Sequence, residues 1–206
     1  MSVYKKYIFP YVLGRKMRQR HFTKERAQLI PQARGVVLEI GFGSGLNLPF
    51  YQGITKLYAL EPNDDLWQLT AEAAAQASFP VEYIKASAEA VPLPDKLIDT
   101  VVCTWSLCSI PNPDKALAEA RRVLQDDGIF IFVEHGLSPY PRIATWQARI
   151  TPFWKKFMGG CHLDRDIYSL VNQAGFTYEL PIEDNKQKTY ASFIKHFYRG
   201  VVSLDE

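Results

Sequence analysis

The sequence predicts an α/β fold: a doubly wound sheet of seven strands, mostly parallel with one antiparallel strand, preceded by a basic helical leader. Three observations predict it. Apolar runs of strand length alternate with segments of helical periodicity, the pattern of a parallel sheet covered on both faces. The first run ends in glycines at 41, 43 and 45, the strand–turn–helix corner of such sheets. The last two runs are joined by Ile182–Tyr190 without an obvious helix, and a connection that short permits only an antiparallel pair.

Taken in order, residues 8–31 form the leader. Val36–Ile40 reads as a buried strand running into the glycine turn, and Leu46–Gln52 as the helix behind it, with Pro49 tolerable in its first turn. Leu57–Glu61 is the second strand. Asn63 caps a helix over Asp64–Ala77, acidic in its first turn. Val81–Ala86 is the third strand. Thr100–Trp105 is the fourth, nearly all apolar and so covered on both faces. Asn112-Pro113-Asp114 opens a helix whose Ala116, Leu117, Ala120, Val123 and Leu124 recur at helical spacing, with Asp127-Gly128 as its stop. Gly128–Glu134 is the fifth strand. Helices follow over 143–158 and 164–174, then a sixth strand over 176–182 and a seventh over His196–Ser203.

With 206 residues the chain suits one domain with a full core. The expected division is a leader or lid over 1–31 and a catalytic domain over 32–206. The longest apolar runs, such as Ile129–Val133, are far too short to span a membrane, and the start of the chain lacks a signal-peptide pattern. Its three cysteines, Cys103, Cys108 and Cys161, form no C-x-x-C pair. That argues against a disulfide framework or a structural zinc and fits a cytoplasmic protein. Residues 1–34 hold nine Lys/Arg and one acid, about +8, against a net +2 for the whole chain. The remainder is then about −6, an asymmetry that points the leader toward an anionic surface and allows peripheral membrane contact.

The glycine corner can be read further. Leu46 stands where a dinucleotide fingerprint wants its third small residue, and Glu39 precedes the loop. A carboxylate there would repel a pyrophosphate but suits a ligand bearing an amine. Glu61 ends the second strand about twenty residues on, where an acid accepts from ribose hydroxyls. A ribose, no phosphate and a cationic amino-acid end describe S-adenosylmethionine.

The segments VLEIGFGSG, YALEPN, ASAEAVPLPDKLIDTVVCTWSLCSI and ALAEARRVLQDDGIFIFVEH resemble the Rossmann-like, class I S-adenosylmethionine-dependent methyltransferases. The resemblance implies that Glu39, Gly41, Phe42, Gly43, Gly45 and Thr104 surround the methionine part of the cofactor. It implies that Glu61 with Pro62 takes the ribose, and that Ser87, Ala88 and Glu89 flank adenine. The VVCTWSLCS block, the Glu134-His135 pair and GGCHLDRD further resemble the methyltransferase-like seven group, the alkyl thiol S-methyltransferases. That group carries an apolar membrane anchor at its front, whereas Tyr4–Arg26 here is basic.

His135, just past the fifth strand, is the candidate base: it sits at the ligand edge of the sheet and titrates near neutrality. Trp105, Cys108, Cys161 and His162 are candidate pocket residues, and Trp146, Phe153, Trp154 and Phe157 candidate apolar walls. His162 has no partner at metal-ligand spacing, so no metal is expected. Three acceptor readings stand: a small apolar thiol, preferred; a lipid headgroup or quinone-like substrate at a membrane; or cofactor binding without catalysis. Nucleic acid is excluded as target, because Thr104-Trp105-Ser106-Leu107 replaces the Asn/Asp-Pro-Pro-aromatic block of base methylases and basic residues crowd one end. No obligate protein partner is indicated.

Overall fold

The computed structural model describes residues 14–68, 70–178 and 196–205. Its centre is a seven-stranded sheet: β1 (Val36–Ile40), β2 (Lys56–Leu60), β3 (Val81–Ile84), β4 (Ile98–Thr104), β5 (Leu124–His135), β6 (Phe176–Tyr178) and β7 (Phe197–Leu204). The order is β3-β2-β1-β4-β5-β7-β6, with β7 antiparallel to both its neighbours and every other pair parallel. The expected sheet and its reversed strand are both present. The 182–190 connection and residues 1–13 of the leader lie outside the described residues.

Period-two alternation along β5 builds the two layers. Phe130 and Phe132 face a core shared with Leu117 and Val123 of α4 (Pro113–Val123) and Ile167 and Val171 of α6 (Ile167–Gln173). Ile129, Ile131 and Val133 face the other core, closed by Leu29 of α1 (Arg20–Leu29) and by Ile30. Glu25 of α1 is also paired with Arg199 of β7 at 2.8 Å, both side chains largely covered. α5 (Pro141–Phe157) lies over the carboxyl end of the sheet, with Pro141 in its first turn.

Three expected elements differ. No α-helix follows the glycine turn: residues 48–50 make one 3₁₀ turn. Asn47, which falls in the first turn of that expected helix, is buried and spent on tertiary bonds to Glu39, Thr104 and Arg26. The helix expected over 64–77 is split into α2 (Asp64–Gln68) and α3 (Ala71–Ala75). Thr70 bonds back to the carbonyls of Leu66 and Trp67, competing with the helical ladder. The stop at Asp127-Gly128 is also displaced. α4 ends at Val123, and Leu124 already pairs with Ile98. The register then shifts, so that 125–128 bulge from β5 before Ile129 meets Thr100. A Cβ on Gly128 would lie 2.8 Å from the Leu124 side chain and 2.9 Å from the Gln125 carbonyl oxygen.

Candidate active site

β1, β2, β4 and β5 end at one edge, and their last residues open into a cavity of about 460 Å³. The strands are parallel, so whatever follows each of them shares that rim. A larger depression, about 1080 Å³, lies at the opposite end beside Asp95, Arg121, Arg122 and Asp126. It contains none of the candidate residues.

The corner after β1 is bare for two distinct reasons. Gly41 (φ +71°) must leave room for Ser106, whose Oγ would lie 2.1 Å from an added Cβ. A Cβ added at Gly43 (φ +55°) would meet no atom nearer than the Gly41 carbonyl oxygen at 3.7 Å, so the space on that side is open to a ligand. Because no α-helix follows, the corner has no macrodipole with which to attract a phosphate. Glu39 is buried at the foot of the cavity and accepts from Tyr51 Oη at 2.6 Å and Asn47 Nδ2 at 3.0 Å. Burial lifts its carboxyl to about 7, against the pull of these two bonds and of Arg26. Such a site favours a cationic ligand group. Glu61, also buried, accepts from the backbone N–H groups of Gly43 and Asn63. Burial raises its carboxyl too, and each oxygen keeps a free acceptor direction.

Glu39, Gly41, Phe42, Gly43, Glu61, Pro62, Ser87, Ala88, Thr104, Trp105, Cys108, His135 and Cys161 all line this cavity. Gly45, Glu89 and His162 do not. Gly45 packs on Phe42 and Leu48. Glu89 accepts from the Asn112 N–H. His162 turns to Asp164, 3.6 Å away. Of the expected aromatic walls, Trp105 and Trp154 are present. Trp146, Phe153 and Phe157 instead stand 60–67 % exposed on the outer face of α5.

Arg26 escaped the sequence as a site residue, and Trp105 and Glu134, both singled out there, make contacts that the sequence did not show. Arg26 is buried, bonded through Nε to Asn47 and through Nη1 to the Met17 carbonyl, with its guanidinium 4.6 Å from the Trp105 ring centroid. Burial lowers it to about 10, and it is withdrawn from the basic surface of the leader. Trp105 has positive φ (+50°), and its buried indole N–H has no partner among the described residues. Glu134 is fully buried and accepts from three consecutive backbone N–H groups, Ser106 at 2.7 Å, Leu107 at 2.8 Å and Cys108 at 3.2 Å. That nest fixes the turn after β4 against the end of β5. No local pattern announces it, because donors and acceptor are about 27 positions apart.

At the far end of the cavity, His135 Nε2 lies 2.9 Å from Cys161 Sγ, and Trp154 Nε1 donates to the same sulfur at 3.3 Å. Cys108 Sγ joins them, all three ligand-type atoms lying within 4.8 Å of one another. The Cys108 thiol bond, acting against burial, and the His135 contact hold the Cys161 thiol below its ordinary range. Burial pulls His135 down, but the sulfur beside it leaves it raised on balance. The expectation of no metal rested on the missing C-x-x-C pair and on His162 lacking a partner at ligand spacing, and local spacing does not reach this convergence of three separate elements.

A family model described as a methyltransferase domain matches residues 38–132. A structure of an S-adenosylmethionine-dependent methyltransferase from Aquifex aeolicus superposes with a TM-score of 0.57 at 16 % identity, covering 98 % of this chain and 94 % of that one. Sheet order, glycine corner and family match together define a class I methyltransferase, with S-adenosylmethionine as its methyl donor. The chain is 35 % identical over 184 residues to thiol S-methyltransferase TMT1B of Homo sapiens, covering 82 % of this chain and 75 % of that protein. It is 29 % identical over 154 residues to human TMT1A, covering 71 % and 62 %. It belongs to the family that these two proteins represent.

Proposed function

We propose that this methyltransferase acts on the sulfur of a small apolar thiol, with cofactor and acceptor meeting in the 460 Å³ cavity. The observation that carries the reading is the composition of that cavity. A glycine corner and two buried acids stand at one end, and Trp105, Trp154 and Met158 with the sulfur–imidazole group of His135, Cys108 and Cys161 at the other. The first end suits an amino-acid nucleoside and the second a thiol with an apolar tail. Similarity to thiol S-methyltransferases over most of the chain supports it.

The cofactor supplies a sulfonium-activated methyl group. The protein's own residues do the rest by holding and excluding. Glu39 holds the ammonium of the amino-acid end, Glu61 the ribose hydroxyls, and the Ser87–Ala88 segment the adenine edge. Gly41 and Gly43 let the ligand approach the backbone. Phe22, Met17 and Arg26 from the leader close one side and limit water, and in this reading the leader acts as a lid. His135 and Cys161 orient the acceptor sulfur.

The outer face of α5 favours a peripheral site of action. Its exposed Trp146, Phe153 and Phe157 are interspersed with Arg142, Arg149, Lys155 and Lys156, a combination that suits an anionic lipid surface. Among the described residues no helix is long and apolar enough to cross a membrane.

The direct test is release of S-adenosylhomocysteine when an alkyl thiol is added to protein and cofactor. Release should follow thiol concentration and vanish in Gly43→Val. Absence of release with short, medium and long alkyl thiols alike would overturn the reading.

A further inference from the structure

We infer that Cys108, His135 and Cys161 form a zinc site whose open fourth position takes the acceptor thiolate. The inference rests on the thiol reading for its fourth ligand, but its three protein ligands stand on geometry alone.

The three come from different elements: Cys108 from the turn after β4, His135 from the last position of β5, and Cys161 from the segment after α5. Each is fixed by backbone contacts. The Cys108 N–H is held by Glu134, and the Cys108 carbonyl accepts from the His162 N–H at 2.9 Å, tying the two cysteine segments together. His135 is held in register opposite Phe197. Their ligand atoms converge within 4.8 Å.

Tetrahedral zinc has Zn–S near 2.3 Å and Zn–N near 2.0–2.1 Å, so its ligands stand roughly 3.5–3.8 Å apart. The present cluster falls around that spacing, and the 2.9 Å His135–Cys161 contact need open by only a fraction of an ångström. Two sulfurs and one imidazole are a soft donor set that selects zinc over magnesium or calcium. His135 engages through Nε2, while its buried Nδ1 has no partner among the described residues. Trp154 donates its indole N–H to Cys161, an outer bond of the kind that steadies a ligating sulfur. All three ligands line the cavity, so a coordination position faces the space where an acceptor enters. Three protein ligands with one open position is the arrangement of catalytic zinc sites.

The chemistry balances without an oxidant or reductant. A thiol binding at the open position loses its proton to solvent, because zinc favours the thiolate. A sulfur lone pair then forms the new S–C bond to the methyl carbon as the carbon–sulfonium bond breaks, its electron pair staying on the cofactor sulfur. The product thioether is neutral, a weaker ligand than the thiolate, and leaves. One proton is released for each methyl transferred.

The test uses full-length protein stripped with a chelator and then titrated with zinc ions against a chromophoric competitor. One zinc per chain is expected. Cys108→Ser and Cys161→Ser should each weaken binding at least about a hundredfold, while His162→Asn, whose side chain faces Asp164, should keep it. Cofactor binding by calorimetry reports whether each variant is folded. With cobalt in place of zinc, adding 2-mercaptoethanol should alter the sulfur-to-metal charge-transfer band. Absence of stoichiometric zinc, or zinc held equally well by both serine variants, would overturn the site. Stoichiometric zinc with an unresponsive cobalt band would overturn its fourth ligand. If zinc binds but no thiol is methylated, the proposed function fails and the metal site stands; if a zinc-free protein methylates thiols at full rate, the proposed function stands and the zinc-bound acceptor thiolate is overturned.

Discussion

Glu39 stands where one side chain sets both stability and binding. A free glutamate titrates near 4.5 and this one near 7 because it is buried. Its folded value is the higher, so the stabilisation is complete below about pH 4.5 and is lost as pH rises through about 7. The shift corresponds to about 3 kcal/mol at 1.36 kcal/mol per pH unit. A bound ammonium favours the carboxylate and cancels the loss. Thermal unfolding of the cofactor-free protein should therefore weaken from about pH 5 to about pH 8, less so with cofactor present, and Glu39→Gln should flatten the dependence. Equal slopes in wild type and Glu39→Gln would contradict this. Gly43 separates strain from occupancy. Gly43→Val adds positive-φ strain and fills ligand space, whereas Gly53→Ala adds strain where no atom lies within 4 Å. Both should lose roughly 1–2 kcal/mol of stability. Calorimetry should show at least a hundredfold loss of cofactor affinity only in Gly43→Val, and a ten- to hundredfold loss in Glu61→Gln, about 1.4–2.8 kcal/mol. Undiminished affinity in both pocket variants would remove the cofactor assignment.

Among the elements, the turn after β4 matters most, because it carries Trp105 and Cys108 and touches Gly41 through Ser106. Glu134→Ala would strand the buried N–H groups of Leu107 and Cys108 and the half-buried one of Ser106, and at about 1–3 kcal/mol for each buried donor a loss of roughly 2–6 kcal/mol is expected. Hydrogen exchange at Ser106–Cys108 should accelerate in Glu134→Ala more than exchange in β1. Uniform acceleration would make Glu134 a general core residue and not the anchor of this turn. For α5, replacing Trp146, Phe153 and Phe157 with serine should reduce flotation with anionic vesicles and leave thermal stability nearly unchanged, since the three are exposed. Unchanged flotation would remove the peripheral reading of that face. Strands and glycine corner were legible because apolar runs and glycine spacing are local signals. The missing helix after the corner was not, because Asn47 is recruited by Glu39 and Arg26 from 8 and 21 positions away. The split at Thr70 rests on a side-chain bond that composition does not reveal.

For the whole molecule, the parallel sheet concentrates chemistry at one rim. β1 and β2 bring the two acids, β4 the turn, and β5 the histidine. Cofactor-facing positions could be read one by one, since each follows its own strand. The acceptor end could not: Cys108, His135 and Cys161 are 27 and 26 positions apart in sequence and meet only when the turn, β5 and the segment after α5 close together. Fold alone does not fix the reaction, because one architecture hosts many chemistries. The central claim is therefore the identity of the atom methylated. The measurement is product identity by mass spectrometry after incubating the enzyme and labelled cofactor with equal amounts of an alkyl thiol, the matching alkyl amine and an alkyl phenol. The account predicts label in the thioether and in neither competitor, with one S-adenosylhomocysteine formed per methyl. Label in the amine or phenol product, with none in the thioether, would contradict it.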